Sequence, residues 1–166
     1  MEFVNAQGPT RTAGGELLAT YSAGRLSVTG GHVFTCSSEV DPQTDVRGQV
    51  DLVPRHTGTL TGTWEDAWGK VGLEAFYTGR QSLSDPTDEN PYPKVSSPYV
   101  VFGALVEWNL TQRVSLFLNA ENLTDVRQTR FNPLLRSQQA VDGRWTVGVW
   151  APLDGRLING GLKAQF

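Results

Sequence analysis

The chain has 166 residues, 39% of them hydrophobic, with 18 Gly, 9 Pro, 5 Trp, a single Cys and a formal net charge of −3. That length suits one domain over residues 1–166, and the Gly and Pro content suits an all-β fold rich in turns. Mild acidity argues against general nucleic-acid binding, one cysteine excludes an internal disulfide or thiolate cluster, and the absence of a run of about 18 apolar residues excludes a membrane-crossing helix.

The N-terminal Met1-Glu2-Phe3-Val4-Asn5 has neither the basic region nor the apolar stretch of an export signal. Residues 2–5 read as the top of an upward strand too short to cross a bilayer, as if the chain were cut within a strand. The first full segment carries the apolar series Leu17, Ala19 and Tyr21, and the next alternates Leu26 and Val28 with Ser27 and Thr29. A long polar connection is expected from Cys36 to Pro54. Gly58, Leu60, Gly62 and Trp64 then alternate with Thr57, Thr59, Thr61, Thr63 and Glu65. After a tight turn, Val71, Leu73, Ala75 and Tyr77 alternate with Lys70, Gly72, Glu74, Phe76 and Thr78. A second long connection runs from Arg80 to Pro98. Beyond it, Val100, Phe102, Ala104, Val106 and Trp108 alternate with Tyr99, Val101, Gly103, Leu105 and Glu107. Val114, Leu116, Leu118 and Ala120 follow a short turn, and a third long connection spans Leu123 to Asp154. The chain ends on Ile158, Gly160, Leu162, Ala164 and Phe166, with Asn159, Gly161, Lys163 and Gln165 between them.

Period-two alternation with one consistently apolar or glycine series reads as strand, since a helix would place its apolar residues three and four apart. All nine prolines lie outside the strand cores, as a hydrogen-bonded ladder requires. Short and long connections take turns, so an up-and-down meander of about seven strands has tight turns at one end and long loops at the other. That asymmetry, with an apolar outward series, describes an open segment of a large transmembrane β-barrel. Strands heading for the short-turn end finish in Tyr21, Trp64, Trp108 and Phe166, all in the outward series, as half of an interfacial aromatic girdle would. A small structural or binding barrel, or a soluble β-sandwich binding module, is the alternative.

Several pieces together resemble the C-terminal barrel of the TonB-dependent outer-membrane receptors. Asn122-Leu123-Thr124-Asp125 is similar to the family's Asn-Leu-aromatic-Asp motif, with Thr124 in the aromatic place. Val53-Pro54-Arg55-His56 resembles its Ile-Pro-x-His strand start, and Gly14-Gly15-Glu16-Leu17 its Gly-Val-Glu-Leu. Pro152 to Arg156, with a last strand ending in Phe166, is similar to its terminus. The resemblance implies a cell outer membrane location in a Gram-negative bacterium, and a parent that imports a scarce solute such as a siderophore–iron complex, cobalamin or a carbohydrate. It implies as partners outer-membrane lipid, the rest of the barrel with its plug, TonB acting through that plug, and the barrel-assembly machinery. Ile158, Gly160, Leu162, Ala164 and Phe166 are then the assembly signal. A fragment without plug is not expected to transport alone.

Chemistry-bearing residues are sparse. His32 and His56 share the outward parity near the long-loop end, but no Cys or third His completes a metal site, and no cofactor or metal is expected. A Ser-His-Asp hydrolase using Asp51 or Asp85 beside His56 lacks a Gly-x-Ser-x-Gly elbow, so no enzyme is expected. Glu39, Asp41, Asp45, Asp51, Asp85, Asp88 and Glu89 lack calcium-loop spacing and read as solvated loop residues. Glu74, Glu107, Asn119, Glu121, Asn159 and Lys163 of the inward series suit a wet interior.

Overall fold

The computed structural model describes residues 8–41, 45–83, 94–131, 138–139, 145–146 and 149–165. Phe166, residues 2–5, and Asp85, Asp88 and Glu89 therefore lie outside the described residues. The expectation of an all-β antiparallel meander holds. The strands are β1 (Arg11–Ala23), β2 (Leu26–Val40), β3 (Arg47–Gly48), β4 (His56–Asp66), β5 (Gly69–Thr78), β6 (Tyr99–Asn109), β7 (Val114–Glu121), β8 (Gln138–Gln139), β9 (Trp145–Thr146) and β10 (Leu157–Ala164). One open sheet runs β1-β2-β4-β5-β6-β7-β10, with the short β3 paired to β2. β8 and β9 pair as a separate two-stranded ladder within the last long connection.

The register is regular throughout, each strand stepping one residue against its partner. Residues directly opposite one another share a face, so the parity of the sequence becomes two continuous surfaces. Hairpin turns close one end. Gly24, at φ 57°, takes the left-handed conformation between Ala23 and Leu26 that a non-glycine residue enters only with strain. In the longer turn before β7, the Thr111 hydroxyl oxygen accepts the Arg113 and Val114 amides at 3.1 and 3.0 Å.

Two boundaries differ from the sequence reading. β1 begins at Arg11, ahead of Gly14, and β2 continues to Val40, four residues past Cys36, where a loop was expected. Arg11 to Ala13 pair with Cys36 to Ser38, so the ladder outlasts the apolar alternation. Backbone pairing does not require an apolar face, and the polar Ser37-Ser38-Glu39 gives hydropathy nothing to detect. The connection after β7 is also not wholly irregular: Gln128–Arg130 forms a 3₁₀ turn.

Among the described residues the buried hydrophobic set is only Leu83, Trp150 and Ala151, and all three lie in the long connections. Among the described residues no second layer packs on the sheet. This is why the β-sandwich alternative fails: Leu60, Leu73 and Leu162 are 54%, 60% and 61% exposed where a sandwich would bury them.

Candidate functional site

Two rows across the sheet show how its faces differ. Tyr21, Val28, Gly62, Leu73, Ala104, Ala120 and Ile158 stand in register across all seven long strands. One residue along, Ser22, Ser27, Thr63, Gly72, Leu105, Asn119 and Asn159 form the matching row on the other face. The first row is apolar or glycine on every strand, and the face of the second carries most of the hydroxyls, amides and charges. Polar side chains pair along it: Thr20 with Thr29 at 3.1 Å, Ser22 with Ser27 at 3.2 Å, and the Ser115 hydroxyl donating to Glu107 at 3.0 Å. Lys163 Nζ lies 3.9 Å from Glu107, and Asn119 donates to Glu121 at 2.9 Å. Glu74, Glu107, Asn119, Glu121, Asn159 and Lys163 therefore share one face, as their parity requires. Leu18, Phe76, Leu105 and Phe117 interrupt it, and Phe117 reaches Gly161, where a Cβ would stand 2.8 Å from its ring.

Tyr21, Trp64 and Trp108 are all exposed on the apolar face, each on a strand running toward the hairpin end. Ile158, Gly160, Leu162 and Ala164 continue that face on β10, opposite Ala120, Leu118, Leu116 and Val114.

His32 and His56 are the polar residues of the apolar face near the long-loop end. His56 pairs with Phe34 in the ladder and His32 with Gly58, so the two imidazoles are diagonal neighbours. Their ring nitrogens are 3.2 Å apart and hydrogen-bonded, and Phe34 packs on His56 with ring centroids 5.2 Å apart. Each ring bonds the other, and among the described residues no group of three metal-ligating side chains forms. Asp51 is not beside His56; it accepts the Ser82 hydroxyl at 2.8 Å.

The motif residues Asn122, Leu123 and Asp125 build a clasp where β7 gives way to its long connection. Asn122 and Asp125 both adopt the left-handed conformation, at φ 50° and 55°. Asn122 Oδ1 accepts the Val126 amide at 2.8 Å, while its Nδ2 donates to the carbonyls of Val126 and Asp154 at 2.8 and 3.1 Å. The Leu123 amide donates to the Phe102 carbonyl of β6 at 2.8 Å, and the Leu123 carbonyl accepts Arg156 Nε at 2.9 Å. Asp125 Oδ1 accepts Arg127 Nε at 2.8 Å and the Arg156 amide at 3.3 Å, and Oδ2 accepts Arg130 Nη2. Bonding to Arg127 holds the Asp125 carboxyl below its ordinary range, helped by the charges of Arg127 and Arg130 and outweighing the opposing partial desolvation. Sequence reading named the motif but missed Arg127, Arg130, Gly155 and Arg156 as its partners.

It also missed Gln128. This side chain is fully buried, and its Oε1 accepts the amides of Trp150 and Ala151 at 2.9 and 3.3 Å. The charge and spacing of the sequence carry no mark of it.

Several solved structures that share this fold are receptors. The ferric-catecholate import receptor Fiu from E. coli superposes with a TM-score of 0.64 at 16% identity, over 93% of this chain and 21% of that one. A mutant of the ferric enterobactin receptor PfeA from Pseudomonas aeruginosa gives 0.65 at 22% identity, over 92% of this chain and 22% of the receptor. The siderophore receptor PiuA from Acinetobacter baumannii gives 0.58 at 18% identity, with the same coverages of 92% and 22%. The chain thus spans about a fifth of the length of the receptors it resembles. No curated protein sequence matches significantly. The family model described as TonB dependent receptor-like, beta-barrel matches residues 1–123, and with that match the chain belongs to the TonB-dependent receptor β-barrel family.

Proposed function

We propose that this chain is the C-terminal part of the wall of a TonB-dependent outer-membrane transporter, with its apolar face against lipid and its polar face toward a plug. The observation that carries this reading is the row of apolar and glycine residues crossing all seven long strands, left uncovered by any other part of the described chain. Fully removing a Leu or Val side chain from water is worth about 1.5–3 kcal/mol. A face of this extent is stable only against an apolar medium.

The girdle reading has a geometric support. Following the ladder from Tyr21 leads through Val28 to Gly62, two residues short of Trp64. From Trp64 it leads through Val71 to Val106, again two residues short of Trp108. If the three aromatics lie at one height, the strands advance two residues, roughly 6.7 Å, for every two strand spacings of about 4.8 Å. The tilt is then about 35°, at the lower end of the 35–45° range of outer-membrane barrels.

The parent's cargo is a scarce solute. Ferric siderophores come first, from the import receptors that share the fold, with cobalamin or a carbohydrate as the remaining candidates. Loops outside capture the solute, and a plug worked by TonB releases it inward. The terminal segment, Ile158 to Phe166, is read by the barrel-assembly machinery. The residues of this chain form wall and loop feet, with no part in a chemical reaction.

Sidedness is tested by labelling single cysteines, with Cys36 replaced by Ser, in the chain grafted as the last strands of a homologous receptor. Leu73→Cys resists a water-soluble maleimide in membranes, while its neighbour Glu74→Cys reacts. Equal reactivity, or the reverse order, overturns the assignment of faces.

A further inference from the structure

The three long connections do not leave the sheet independently. The Leu52 amide donates to the Ser82 carbonyl at 2.9 Å, and the Ser82 hydroxyl to Asp51 at 2.8 Å, joining the connection after β2 to the one after β5. One residue back, Gln81 Nε2 donates to the Trp150 carbonyl at 3.1 Å, joining the connection after β5 to the one after β7. The Trp150 amide in turn donates to Gln128 Oε1 at 2.9 Å. We propose that these feet form one collar, in which displacement of any long connection is felt at the other two through the bonds at Ser82 and Trp150.

The chemistry favours coupling over three separate anchors. Gln81, Gln128 and Trp150 are buried, and Trp150 clusters with Leu83 and Ala151, with Tyr99 packed against that cluster. A bond broken there leaves a polar group without water to replace the partner. Trp150 uses its amide toward Gln128 in its own connection and its carbonyl toward Gln81 in the connection after β5, so turning its backbone strains both links together. Gln81 passes the strain on: its amide donates to Ser96 Oγ and its carbonyl accepts the Ser96 amide, both at 2.9 Å. The collar matters for transport only if the long connections face outside and meet solute, as proposed above; its existence does not depend on that.

The test is amide hydrogen exchange on the full chain in detergent micelles, with Gln128→Met, which keeps the volume and removes the acceptor. A parallel chimera, with the chain as the last strands of a homologous receptor, keeps the test decisive if the isolated sheet frays. Exchange at Trp150 and Ala151 should rise directly. The collar requires that Gln81 and Ser96, which have no bond to residue 128, also accelerate, by at least about tenfold, with a smaller rise at Leu52. The β4–β5 ladder amides should stay protected. Acceleration confined to Trp150 and Ala151 overturns the collar. The maleimide experiment on the sheet faces is unaffected either way, so failure here and failure of the membrane reading are separate results.

Discussion

Gly155 and Asp125 stand so close that a methyl group on the glycine would lie 2.2 Å from the carboxylate oxygen Oδ1 and 2.3 Å from Arg127 Nη2. Residues thirty positions apart in sequence thus share a space that only hydrogen can occupy. Gly155→Ala should open the clasp and destabilise the β7–β10 pair by about 1–3 kcal/mol, the usual cost of overpacking. Gly62→Ala, whose Cβ would meet nothing within 4 Å, is the control and should be nearly neutral. The comparison is the temperature at which the chimeric barrel loses its fast migration in unheated gels. Equal temperatures for both variants would show that the clasp does not set the strength of the last hairpin.

Acid should release the same clasp. The Asp125 carboxyl is held below its ordinary value of 3.8, chiefly by its bond from Arg127. A depressed carboxylate contributes stability that is complete above the unfolded-state value, about 3.9, and is lost as pH falls through the lower folded-state value. Amide exchange at Arg156, corrected for intrinsic rate, should therefore be flat from pH 7 to about 4 and rise below that. Asp125→Asn should be faster throughout and lose the acid dependence. A wild-type rise beginning near pH 6 would show that the Asp125 carboxyl is not the group that releases the clasp.

Leu60 lies four residues above Trp64 on β4, roughly 11 Å along the membrane normal at the tilt derived from the aromatics, near the middle of an apolar band about 25 Å tall. Leu60→Arg should cost about 2–4 kcal/mol in the assembled chimera, and Thr61→Arg, on the other face, much less. The measurement is the fraction of folded barrel recovered in membranes. Similar losses from both would mean that Leu60 does not meet lipid.

Deleting Phe166 from this last strand, grafted onto a full-length receptor, should sharply reduce protease-resistant barrel in the outer membrane. Insertion at the undeleted level would make the terminal aromatic incidental to assembly.

The chain exported alone into a receptor-deleted host should give no gradient-dependent uptake of iron chelates or cobalamin. Its outer strands β1 and β10 each leave an edge of N–H and C=O groups without a partner in the sheet, and in hydrocarbon each such group costs several kcal/mol. Uptake above an empty-vector control would contradict this.

The faces of the sheet were legible because the ladder contains no bulge: every second residue stays on one side from β1 to β10, so parity alone sorts Leu73 from Glu74. Parity also put His32 and His56 on one face. It did not put them in contact, because their diagonal comes from the Phe34–His56 register, which the long connection between β2 and β4 leaves free. The upper reach of β2 was invisible for a different reason: from Thr35 onward its polar residues no longer mark a lipid face, though the backbone goes on pairing. The motif Asn122-Leu123-Thr124-Asp125 was recognisable as a pattern, but Gly155 and Arg156 reach it only once β7 and β10 align. Gln128 lay beyond sequence reasoning, since a glutamine in a polar connection is ordinary until the fold buries it.

If Tyr21, Trp64 and Trp108 lie at one height in a membrane, the two-residue advance between them also sets a width. At a tilt of about 35°, a strand takes up roughly 5.9 Å of perimeter, so seven of them span about 41 Å of membrane boundary. A closed wall of roughly twenty-two such strands would have a girth of about 130 Å, and this chain would supply nearly a third of it. Yet the chain matches only 21–22% of the length of the receptors that share its fold. A third of the circumference drawn from a fifth of the polypeptide means that much of the sequence such receptors spend elsewhere goes to what fills and overhangs the wall.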